Sequence, residues 1–113
     1  DVEDGTLFKS LEHIKVTVAP NNDGAGNVYV INGQQKRSLE LKIGKSYKFV
    51  HPSGHPLRFS ENQDGTHNNG TEYTTGVVKS SGETIISINN RTPSSLYYYC
   101  DQHSGMGGSI SIK

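Results

Sequence analysis

One cysteine in 113 residues excludes an internal disulfide, so cysteine counting leaves the redox compartment open. Net charge is missing too. Lys plus Arg equals Asp plus Glu at 11 each, which removes the electrostatic pull toward nucleic acid or an anionic membrane. No apolar run approaches the roughly 20 residues that cross a bilayer as a helix. No signal peptide is recognisable, although Asp1 is compatible with a mature terminus left by cleavage of one. No stretch has a convincing helical period, and there is no internal repeat, linker or composition shift. The expectation is one domain over 1–113, with 1–13 a peripheral segment carrying Leu7, Phe8 and Leu11.

What the chain does have is turn chemistry and alternation. Thirteen glycines, with abundant Asn, Ser and Thr, point to many short strands. Ile14, Val16 and Val18 face one way with Lys15 and Thr17 opposite. Val28 to Ile31 is a short apolar run stopped by Asn32-Gly33. Leu39, Leu41 and Ile43 alternate with charge, as do Tyr47 and Phe49 after the Gly44-Lys45 break. Strands are further expected at Leu57 to Phe59, Tyr73 to Val78, Thr84 to Ile88, Leu96 to Cys100 and Gly108 to Ile112. Glu61 to Glu72 reads as a polar surface loop. About eight short strands at this spacing predict an all-β, two-sheet sandwich.

The only cysteine and the only methionine fall in one stretch, Cys100-Asp101-Gln102-His103-Ser104-Gly105-Met106, between two strand-like runs. Thiolate, imidazole and thioether on one tight turn form a donor set that suits copper better than zinc, calcium or magnesium. Two residues between Cys100 and His103, and two between His103 and Met106, let a turn aim all three at one point. A second imidazole must come from His13, His51, His55 or His67. His55 is the first choice, because it ends the rigid His51-Pro52-Ser53-Gly54-His55-Pro56 loop at the mouth of a strand. His51 is the runner-up, and it shares an extended face with Tyr47 and Phe49. His67 lies in the polar loop and reads as solvated.

With those residues in view, the chain resembles the cupredoxins, plastocyanin-like single-domain proteins in particular. The resemblance rests on Gly44-Lys45-Ser46-Tyr47-Lys48-Phe49-Val50, on His55-Pro56-Leu57-Arg58-Phe59, and on Tyr99-Cys100 through Met106. It implies an eight-stranded Greek-key sandwich with one type 1 (blue) copper ion, Cu+ or Cu2+, near one pole. It implies His55, Cys100 and His103 as equatorial ligands and Met106 as the axial one. It also implies one-electron transfer with a transient protein partner, and no enzymatic activity. A binuclear copper centre needs two bridging cysteines and is excluded.

Three features depart from the family pattern. The His-to-Met loop is two residues shorter than in plastocyanins, which bears on axial geometry. Pro56 stands where Asn is common, so the backbone N–H that donates to the thiolate is gone. Losing such a donor implies a lower reduction potential than that of a Pro56→Asn variant, a difference voltammetry measures directly. The amide of Gln102 is a candidate replacement. Asp101 stands where Ser or Thr is usual, and a carboxylate turned toward the ion would favour its oxidised state.

Other readings explain less. A Cys-His thiol enzyme would want Cys100 at a helix start with an oxyanion element, and neither is recognisable. A structural zinc site would leave Met106 idle. The main alternative is a non-redox, cupredoxin-like extracellular module whose hydroxyl- and amide-rich surface binds a matrix polysaccharide or mineral. An extracellular or periplasmic location is expected, and the sequons at Asn69 and Asn90 point the same way.

Overall fold

The computed structural model describes residues 11–113; Leu7, Phe8 and most of the expected peripheral segment lie outside the described residues. Eleven strands run in order among the described residues: β1 Leu11–Pro20, β2 Asn27–Ile31, β3 Gln34–Gln35, β4 Leu39–Leu41, β5 Ser46–Val50, β6 Leu57–Ser60, β7 Glu72–Tyr73, β8 Val77–Lys79, β9 Glu83–Ser87, β10 Ser95–Cys100 and β11 Gly108–Ile112. They form two sheets, β3-β2-β1-β5-β9-β8 and β4-β11-β10-β6-β7. The β1–β5 and β4–β11 pairs are parallel and the others antiparallel, so both sheets are mixed. This is the expected β-sandwich.

Alternation builds the core. Tyr47 and Phe49 on β5 face Leu57 and Phe59 on β6, and the Phe49 and Phe59 rings meet edge-on at 5.3 Å. Leu96, Tyr98 and Cys100 are the inward set of β10, so the sulfur sits at the last core position of that strand. A one-residue slip would turn Cys100 to the outside. Burial of the core apolar side chains holds the sheets together, at roughly 25 cal/mol for each Å² removed from water.

Two expectations are corrected. Tyr73 to Val78 is not one strand. Gly76, at φ 72°, turns the chain between β7 in one sheet and β8 in the other, so one β-rich run spans a crossover. The polar stretch from Glu61 to Glu72 is also more than a surface loop. It contains a 3-10 turn, Gly65–Asn68, that packs on the Tyr99 ring. A Cβ at Gly65 would run into that ring.

Tyr29 and Tyr98 are fully buried, and burial pushes both hydroxyls above the ordinary phenol range. The Cys100 side chain raises Tyr29 further. A folded-state pKa above the unfolded value means that this contribution to stability is complete below the unfolded pKa, about 10, and is lost as pH rises beyond it. Each tyrosine then removes about 1.4 kcal/mol per pH unit. The urea midpoint should therefore hold to about pH 9 and fall steeply above about 10. A midpoint unchanged at about pH 11 would contradict this.

Candidate metal centre

Four loop contacts gather the site at one end of the sandwich. The β6–β10 ladder sets Cys100 opposite Leu57, and the Asp101 N–H donates to Pro56 O at 2.9 Å, carrying that pairing one step past the strand. His55 is positioned just before β6 by its own N–H, which donates to Pro52 O at 3.0 Å. The Tyr29 N–H donates to Met106 O at 2.9 Å and ties the far end of the Cys-His-Met loop to β2. Midway, the Gly105 N–H donates to Asp64 Oδ1 at 2.9 Å, with Gly105 in left-handed backbone geometry at φ 77°.

The result is a three-donor cluster. Cys100 Sγ lies 3.9 Å from His55 Nδ1 and 3.7 Å from His103 Nδ1, and all three donor atoms fall within 4.8 Å of one another. The imidazole rings are 4.9 Å apart, tilted by 41°. Those sulfur–nitrogen separations are long for hydrogen bonds but suit a shared ion. With metal–sulfur about 2.3 Å and metal–nitrogen about 2.0–2.1 Å, donors about 120° apart sit about 3.8 Å from each other. The burial is graded: Cys100 is fully buried, His55 half-buried and His103 exposed. Met106 is buried and packs in the core cluster. The residues present therefore fit a copper ion, with one soft thiolate and two imidazoles around a point shielded on the core side.

The remaining histidines sit elsewhere. His51 is buried beside the β5–β9 end, with Nδ1 2.9 Å from Pro52 O and Nε2 3.2 Å from Thr84 Oγ1. The Thr84 hydroxyl donates in turn to Leu57 O at 2.8 Å, so His51 supports the strand that leads from His55. His13 is exposed on β1. His67 has a partner after all: its Nε2 is 2.8 Å from Cys100 O, and its ring meets Tyr99 edge-on. That contact joins residues 33 positions apart, and no local pattern announces it.

Two candidate tuning groups are also placed differently from expectation. Asp101 is exposed. The Gln102 side-chain amide faces Asp101 Oδ2 at 3.5 Å instead of the sulfur. The polar group buried beside the site is the Tyr29 hydroxyl, which donates to His55 O at 2.6 Å and whose ionisation the Cys100 side chain disfavours. Phe in place of Tyr29 leaves the His55 carbonyl unpaired. We expect Tyr29→Phe to cost about 1–2 kcal/mol of stability and to weaken copper binding about tenfold, because the backbone of an expected ligand loses its anchor. Equal copper affinity by competitive titration would contradict that role.

Comparison with solved structures agrees with the architecture. The copper protein rusticyanin superposes with a TM-score of 0.55 at 16% identity, over 92% of this chain and 78% of that one. The chain has the cupredoxin fold. Rusticyanin from Thiobacillus ferrooxidans matches over the same shares with a TM-score of 0.51 at 16% identity. A McoA multicopper oxidase variant from Aquifex aeolicus matches with a TM-score of 0.50 at 18% identity, over 92% of this chain but only 28% of the oxidase. No protein-family model and no curated protein sequence matches the chain. Within the cupredoxin fold the donor cluster sits where β10 ends and β6 begins, neighbouring strands of one sheet.

Proposed function

We propose that the protein binds one copper ion through Cys100, His55 and His103, with Met106 as axial ligand, and carries single electrons between protein partners. The observation that carries this reading is the pair of sulfur–nitrogen separations, 3.9 and 3.7 Å, spanning a gap of the size a shared ion requires. Rusticyanin, described as a copper protein, shares the fold. The bound ion would supply the redox chemistry, Cu+ giving one electron to an acceptor and Cu2+ taking one from a donor.

The chain's own residues favour transfer over catalysis. Four protein ligands would leave no open position for a substrate. Cys100 and Met106 are sealed in the core, and the loop is pinned by Asp64, Tyr29 and Pro56, so the donors are held in one arrangement through both oxidation states. A fixed ligand set lowers the reorganisation that accompanies each electron. His103 is exposed beside the small residues Ser104 and Gly105, which gives a short exit at the surface. Such a surface suits a transient partner docking flat against it. We place the protein in an exported compartment, extracellular or periplasmic, where the exposed sequon residues Asn69 and Asn90 are open to glycosylation in a eukaryotic source.

Voltammetry of the copper-loaded protein tests the redox reading. A reversible one-electron wave is the expected result. Stoichiometric copper binding with no reversible wave would instead support a non-redox module of the same fold.

A further inference from the structure

A cleft of about 490 Å³ lies on the outer face of the β4-β11-β10-β6-β7 sheet, next to the metal loop. Its volume falls within the range of ligand clefts, roughly 300–1,000 Å³. On β10 the outward residues are Tyr97 and Tyr99, since Leu96, Tyr98 and Cys100 point into the core. Tyr99 is covered by the Gly65–Asn68 turn, but Tyr97 is not. Its cross-strand neighbours are the small residues Ser60 and Ser109, and the adjoining wall is Gly107 and Gly108. The half-buried Tyr97 thus lines the cleft between two polar walls. Gln63, Asp64 and Asn68 stand on one side, Lys36 and Ser38 on the other.

We propose that this cleft binds a neutral oligosaccharide. An aromatic face flanked by amide, carboxylate and hydroxyl groups matches a sugar ring, which offers an apolar C–H face and a rim of hydroxyls that both donate and accept. Lys36 and Asp64 oppose each other in sign, so the cleft holds no net charge to select a phosphate or an acidic sugar. An apolar ligand would strip water from these polar groups without replacing it, whereas hydroxyls replace each lost hydrogen bond. The cleft is also joined to the metal loop. Asp64 holds the Gly105 N–H, and His67 bonds the Cys100 carbonyl. The sugar binding itself does not rest on the copper reading.

The test uses the metal-free, isotope-labelled full chain titrated with cellohexaose, chitohexaose and maltohexaose. At least one should give saturable amide shifts concentrated at Asn68, Gly105, Gly107 and Gly108. Tyr97→Ala should weaken that binding about tenfold, and Tyr97→Phe should retain it. Gln63→Ala, at an exposed position, should weaken it severalfold and decides the matter if Tyr97→Ala fails to fold. No saturable shift with any of the three sugars at millimolar concentration would overturn the proposal. So would shifts centred elsewhere, or wild-type binding by every folded variant of Tyr97→Ala and Gln63→Ala. Because the protein carries no copper in these titrations, failure of the copper reading would not change their outcome.

Discussion

Gly107→Ala is expected to cost at least about 3 kcal/mol and to abolish copper binding with it. A Cβ at this position would overlap the Tyr98 carbonyl and lie 3.0 Å from the Tyr99 Cα. These are backbone atoms of β10, held in register by β6 on one side and β11 on the other. No rotamer change relieves the overlap, so either β11 moves away from β10 or the Met106–Gly108 segment lifts off. Lifting would break the Tyr29 N–H bond to Met106 O and spoil the loop that presents His103. Gly105→Ala makes the comparison informative, because a Cβ there meets nothing within 4 Å and only the positive φ resists it. That variant should lose about 1 kcal/mol. Denaturant unfolding of both variants checks the pair. Equal losses would mean that close approach at Gly107 is not what matters.

His55→Ala should reduce copper affinity more than about 100-fold, beyond the usual cost of losing a supporting residue around a metal. Its Nδ1 faces Cys100 Sγ at 3.9 Å, and its removal would leave only Cys100 and His103 of the three-donor cluster. The gap it leaves is half-open to water, so added imidazole should restore the visible spectrum. His51→Ala is the control. It removes a buried hydrogen bond to Thr84 and should lower stability by about 1–3 kcal/mol while leaving the copper spectrum in place. If His51→Ala removed the spectrum and His55→Ala kept it, the ligand assignment would be reversed.

How far the sequence alone reaches depends on the range of each interaction. The Cys100–His103 pairing is legible because two residues three positions apart on one turn are aimed together by local chain geometry. His55 is legible through its prolines, which restrict the loop before β6 whatever surrounds it. Leu96, Tyr98 and Cys100 show their inward face by period two. The support of the site is not legible in the same way. Tyr29 reaches His55 O across 26 residues, and Asp64 reaches Gly105 across 41. Both depend on which strands become neighbours, and Tyr29 by itself reads as one more core aromatic. The same limit explains Tyr73 to Val78, where β-forming residues continue through a glycine at which the chain changes sheets. It also explains His67, whose polar neighbours concealed a bond to the Cys100 carbonyl.

The account stands or falls on whether an ion sits between the sulfur of Cys100 and the two imidazoles. Adding Cu(II) to the purified, metal-free chain should produce an intense visible thiolate-to-copper charge-transfer band that saturates at one equivalent and is absent from Cys100→Ser. Copper bound at one equivalent without that band, or a band that survives in Cys100→Ser, would contradict it.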